Sequence, residues 1–117
     1  MEMTKKIVGV WMLVKLKGSL DAKTAPELDK VWAEELEKHL DIALDFSELE
    51  YISSMGLRSI MQAVKKTNEN HHRVAICGMT GLVKEVIERA GIDGLVDVYE
   101  KMSDLPFIHD VVIDDKI

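Results

Sequence analysis

Short apolar runs in this 117-residue chain alternate with stretches of helical period, and that alternation limits the fold more than any other feature. The runs "IALDF" (Ile42 to Phe46), "RVAIC" (Arg73 to Cys77) and "LVDVY" (Leu95 to Tyr99) each read as a strand. Between them the apolar residues recur at three and four positions, as on one face of a helix. A helical crossover between neighbouring strands favours parallel pairing with right-handed connections. The expected architecture is α/β: a mixed sheet of about four to five strands, mostly parallel after an N-terminal hairpin, with about four helices packed on it.

The hairpin rests on "VWMLVKL", where Val10, Met12, Val14 and Leu16 share one face at period two. Met3 to Ile7 would pair with this strand through a turn at Gly9, and Gly18 would break it. Thr24 is the expected N-cap of the first helix, with Glu27 as its capping-box partner and Pro26 in the first turn. Leu28, Val31, Trp32, Leu36 and Leu40 then form a stripe against a charged back of Asp29, Lys30, Glu34, Glu37 and Lys38. In this pattern Trp32 is core packing. The run from Ile42 to Phe46 fits a central strand covered on both faces. Leu57, Ile60, Met61 and Val64 mark a second amphipathic helix ending near "NENHH". A third helix, "TGLVKEVIERAG", has Thr80 as its cap and Gly91 as its stop, and "SDLPFIHDVVI" is the expected closing helix.

Length and composition fit one domain spanning residues 1–117, with 47% hydrophobic and 31% charged residues. A net charge of -6 makes phosphate backbones and anionic membranes poor partners. The longest apolar run, Ile7 to Val14, is far below the roughly 20 residues of a membrane helix, and it lacks a secretory cleavage context. The expectation is a cytoplasmic protein with no membrane insertion. One cysteine excludes an intrachain disulfide, and its place in "RVAIC" makes Cys77 a buried, inert thiol.

The stretch "YISSMGLRSI" puts two serines at a strand-to-helix junction. Serine at an N-cap is common and contributes about 1 kcal/mol. The same position lies at the positive end of a helix dipole beside unpaired backbone N–H groups, where a phosphate would be well held. Phosphorylation adds about -1.5 to -2 charge units. A penalty of about 2.8 kcal/mol on a binding face weakens a complex roughly a hundredfold.

"GSLDAKTAPEL" followed by "LDFSELEYISSMGLRSI" resembles the STAS domain of bacterial anti-sigma-factor antagonists. Their pattern is a Gly-x-Leu-Asp turn and, later, Asp-x-Ser-x-x-x-x-(Asp/Ser)-Ser-(Ser/Ala/Thr)-Gly-Leu. The resemblance runs over nearly the whole chain. It implies that Ser54 is phosphorylated by a partner that is both a serine kinase and an anti-sigma factor, and that a PPM-type phosphatase reverses the step. The turn aspartate is Asp21, the strand-end aspartate Asp45, and the residue before the acceptor Ser53. Met55 stands where the family usually has a small residue, and Ser53 where many members have aspartate. By the same resemblance the unphosphorylated chain, a monomer or weak dimer, presents Asp21, Ser53, Met55 and Gly56 to the kinase. Arg58, Ser59, Gln62 and Lys65, read as the outer residues of the following helix, complete that surface. Binding would release a sigma factor.

Nothing in the sequence calls for a cofactor or an enzyme. Ser54 is not in a Gly-x-Ser-x-Gly elbow, and no histidine bears a motif relationship to it. His71 and His72 read as an exposed turn, and Asp110, Asp114 and Asp115 lack the spacing of a calcium loop. "GMTGL" lacks the lysine of a phosphate loop. The seven methionines read as core filler and not as a binding surface. A second reading is a structural subunit of a larger complex, such as a lipid-transport ATPase or a stress-sensing scaffold, in which Ser54 is only a helix cap.

Overall fold

A computed structural model describes residues 1–36 and 41–106. Five strands form one sheet in the order β1-β2-β3-β4-β5: Glu2–Val8, Trp11–Leu20, Asp41–Ile52, Val74–Cys77 and Asp97–Tyr99. β1 pairs with β2 antiparallel, and every later pair is parallel. Three α-helices, α1 (Ala25–Glu35), α2 (Ser54–Glu69) and α3 (Gly81–Arg89), connect the parallel strands. The expected mixed sheet is thus the observed one. Of the expected closing helix, Ser103 and Asp104 belong to a single 3-10 turn, Met102–Asp104, and the part from residue 107 onward lies outside the described residues, as does Leu40 of the expected α1 stripe.

Strand order explains where the helices lie. From β2 to β5 each strand is added on the same side of the last, so successive right-handed crossovers put all three helices on one face. The main core lies there: Met12, Val14, Leu16 and Leu20 of β2 and Ile42, Leu44 and Phe46 of β3 meet Leu28, Val31 and Trp32 of α1, Ile60, Ala63 and Val64 of α2, and Val83 and Ile87 of α3. On the opposite face Trp11, Leu13, Ala43, Ala75 and Cys77 form a smaller cluster closed by Leu105. Trp11 Nε1 donates to the Pro106 carbonyl at 2.7 Å, and the Arg73 guanidinium lies 5.2 Å from the ring centroid.

The hairpin turns at Gly9 and Val10, with Gly9 at φ 60. Val10 sits in that turn, 47% exposed, so it does not share the buried face expected for it. Nor does β2 break at Gly18. It continues to Leu20, and Gly18 instead takes φ 102 next to a register shift.

β3 is longer than its apolar run suggested. Between the pairs Lys15 with Asp45 and Lys17 with Glu48, and again between Gly18 with Leu49 and Ser19 with Tyr51, β3 carries one extra residue opposite β2. Each bulge resets the alternation, so the inward residues run Ile42, Leu44, Phe46, Leu49 and Ile52. The Asp45 carboxylate accepts the Ser47 N–H at 2.9 Å inside the first bulge. Because of this irregularity β3 reaches the serine pair directly.

Candidate functional site

β2 and β3 end side by side, with Leu20 opposite Ile52. The ladder takes one more step, as Ser53 N–H donates to the Leu20 carbonyl at 2.9 Å. The chain after β2 therefore starts at Asp21 next to the point where the chain after β3 starts at Ser53.

Asp21 organises its own turn. Its Oδ1 accepts the N–H of Lys23 at 2.9 Å and of Thr24 at 3.1 Å, while its own N–H donates to Thr24 Oγ1 at 2.8 Å. Thr24 does not cap α1 through its side chain as expected. Its backbone is already near-helical (φ -101, ψ -22), and its hydroxyl turns back to donate to the Ser19 carbonyl at 2.8 Å. Asp21 instead closes the turn that leads into α1. The Lys23 N–H bond holds its carboxyl below the usual carboxylate value, against a smaller desolvation effect and with help from the Thr24 N–H and hydroxyl.

The two serines divide their tasks. Ser53 is the N-cap of α2, with extended backbone, and its Oγ accepts the Gly56 N–H at 3.3 Å. Ser54 is the first helical residue and is exposed, and its hydroxyl has no hydrogen-bond partner among the described residues. Gly56 is buried against β2, where a Cβ would lie 2.7 Å from the Leu20 carbonyl oxygen. Expected in the partner-binding set, Gly56 is here a buried close-packing position. The glycine allows the first turn of α2 to sit directly on the end of β2.

Arg58, Gln62 and Lys65 are exposed on the outer side of α2, with Met55 at 45% exposure. Ser59 departs from the expectation. It is 2% exposed and faces α1, where its hydroxyl donates to Asp29 Oδ1 at 2.6 Å and accepts Trp32 Nε1–H at 3.2 Å. A stripe read by apolar residues alone missed this polar clamp. Met61 also departs: it is 36% exposed, and Ala63 and Thr67 take the inward positions. A groove of about 450 Å³ runs between α1 and α2 beside the clamp, bordered by Gln62 and Lys65.

Away from this edge, His72 is not simply an exposed turn residue, since its Nδ1 lies 3.1 Å from Asp41 Oδ1. Burial pushes the Cys77 thiol up to about 12, with Asp45 and Asp104 adding to the effect. Among the described residues no group of three or more His, Cys, Asp or Glu could hold a metal ion, and no helix is long and apolar enough to cross a membrane.

A β-α sheet of this order, with a serine-capped helix packed against an aspartate turn, defines a class. The chain belongs to the STAS domain family, whose model matches residues 2–105. It is 30% identical over 88 residues to an anti-sigma-B factor antagonist of Staphylococcus aureus, covering 74% of this chain and 82% of that protein. A crystal structure of a candidate anti-sigma factor antagonist from Thermotoga maritima superposes with a TM-score of 0.81 at 25% identity, covering 87% of this chain and 89% of that one. The anti-sigma factor antagonist SpoIIAA in its unphosphorylated form shares the fold, with a TM-score of 0.72 at 12% identity and coverage of 88% and 92%.

Proposed function

We propose that this chain is an anti-sigma-factor antagonist switched by phosphorylation at Ser54. The observation that carries the reading is the division between adjacent hydroxyls: Ser53 is committed to the cap, while Ser54 is exposed without a partner among the described residues. The similarity to the Staphylococcus aureus antagonist supports the same reading.

Unphosphorylated protein, acting as one domain, docks the outer side of α2 and the Asp21 turn on an anti-sigma serine kinase and so frees a sigma factor. Met55, Arg58, Gln62 and Lys65 make the contact, and Ser53, Gly56 and Ser59 hold the helix that presents them. Arg58, Lys65 and Lys66 are exposed, and α2 carries no carboxylate before Glu69, so this side of an acidic protein suits an acidic partner surface. Phosphate on Ser54 would sit at the helix N-terminus, which tolerates it, but near the ionised Asp21 turn and facing that acidic partner. Like-charge repulsion and desolvation then end the complex, and a PPM-type phosphatase restores it.

Intact-mass measurement after incubation with ATP and anti-sigma-type serine kinases of the same genome tests the acceptor. One added phosphate on wild type and none on Ser54→Ala is the expected result. A kinase that binds the protein yet transfers no phosphate would remove the switch and favour a structural subunit.

A further inference from the structure

The outer side of α2 carries chemistry that phosphorylation does not use. Met55 and Met61 are 45% and 36% exposed. Met12 is 1% exposed, Met1, Met3 and Met79 pack against the main core, and Met102 packs against the smaller cluster. Of the seven methionines only the two on α2 are exposed. Met55 directly follows the acceptor serine, in a first turn that the Gly56 contact with Leu20 holds in place. Its thioether therefore cannot withdraw into the core without lifting the helix off β2.

We propose that Met55 is a site of reversible oxidation whose sulfoxide closes the docking side of α2 while leaving the Ser54 hydroxyl intact. The proposal rests on the antagonist reading above. A lone pair on Met55 Sδ attacks one oxygen of hydrogen peroxide. The S–O bond forms as the O–O bond breaks, and the departing hydroxide takes the proton of the transferred oxygen and leaves as water. Sulfur loses two electrons and the peroxide gains them. Thiol-dependent methionine sulfoxide reductases reverse the step.

The product is polar where the reduced side chain was apolar, so a partner that buries Met55 must desolvate an S–O dipole. Arg58, three residues on, adjoins Met55 on the helix surface. A sulfoxide oxygen accepts hydrogen bonds, so it competes for the guanidinium that would otherwise meet an acidic partner. Phosphorylation and oxidation would act on the same face by different chemistry, one adding charge beside the cap and the other removing an apolar contact.

The test treats the purified protein with hydrogen peroxide, maps the added oxygen by peptide mass, and measures binding to the immobilised anti-sigma serine kinase from the same genome. Met55 should gain oxygen before Met12, and oxidised protein should bind about tenfold more weakly, which corresponds to about 1.4 kcal/mol. Whatever its starting affinity, Met55→Leu should bind equally before and after peroxide, whereas Met61→Leu should still lose binding on treatment. Methionine sulfoxide reductase should restore the wild type. Equal binding of oxidised and reduced protein, or protection by Met61→Leu alone, overturns the proposal. Failure of the reduced protein to bind overturns the antagonist reading and the proposal with it.

Discussion

Replacing Gly56 with alanine should lift the first turn of α2 from the sheet. A Cβ there would lie 2.7 Å from the Leu20 carbonyl oxygen, 2.8 Å from Leu20 Cγ and 3.0 Å from Ile52 Cγ1. The oxygen already accepts the Ser53 N–H at 2.9 Å, and Leu20 is fully buried, so neither neighbour retreats freely. Overpacking of this kind costs about 1–3 kcal/mol, and straining the Ser53 bond adds about 1 kcal/mol. The better helix propensity of alanine returns about 1 kcal/mol. The expected net loss is about 2 kcal/mol, a fall in Tm of roughly 6–12 °C for a chain of this length. Gly94→Ala is the control, because nothing lies within 4 Å of a Cβ at that position, and a change within about 0.5 kcal/mol is expected. Urea denaturation gives both values from the midpoint and slope. Because the displaced turn carries Ser54, phosphate transfer to Gly56→Ala should also slow. If Gly56→Ala matched Gly94→Ala in stability, the close packing of α2 on β2 would be refuted.

Other substitutions separate capping, clamping and burial. Ser53→Ala should lose about 1 kcal/mol from the missing cap, read by denaturation, yet still accept phosphate at Ser54. Ser59→Ala leaves the buried Trp32 N–H unpaired and should cost about 1–2 kcal/mol. A double-mutant cycle with Asp29→Ala should then return a coupling of about 1 kcal/mol, and strict additivity would refute the clamp. Iodoacetamide at pH 8 should leave Cys77 unlabelled in native protein and label it in urea, since burial keeps the thiol protonated. For Asp21 the folded carboxyl lies below its ordinary value near 3.8, so its contribution is present above that pH and is lost as pH falls through the lower folded value. Wild type should therefore lose more stability than Asp21→Asn on going from pH 6 to pH 3, and equal losses would show that the turn does not depend on the carboxylate.

The sheet was legible because its signal is repetitive. Three apolar runs separated by helical stripes leave little freedom, and apart from Val10, which falls in the hairpin turn, the apolar positions of β2 and β4 lie where period and composition placed them. β3 was cut short at Phe46 because its two bulges break the period-two pattern that identifies a strand. The identity of the cap was legible only as a pair, since choosing Ser53 over Ser54 depends on which backbone is extended. Ser59 and Met61 were misassigned for one reason. Hydrophobic periodicity assumes that apolar residues turn inward and polar ones outward, and α2 departs from both, with Ser59 turned inward to Asp29 and Trp32 and Met61 outward. Asp21 was found through its motif, but its work in closing the turn before α1 comes from a geometry that spacing does not reveal.

The central claim is that one phosphate on Ser54 reverses docking. Calorimetric titration of the anti-sigma kinase with unphosphorylated protein, and with protein phosphorylated on Ser54 to completion, measures this directly. The account predicts tight binding of the first and at least a hundredfold weaker binding of the second, or about 2.8 kcal/mol. Equal affinities for the two forms would contradict it, and would leave Ser54 as an exposed hydroxyl at the start of a helix whose partner does not read its charge.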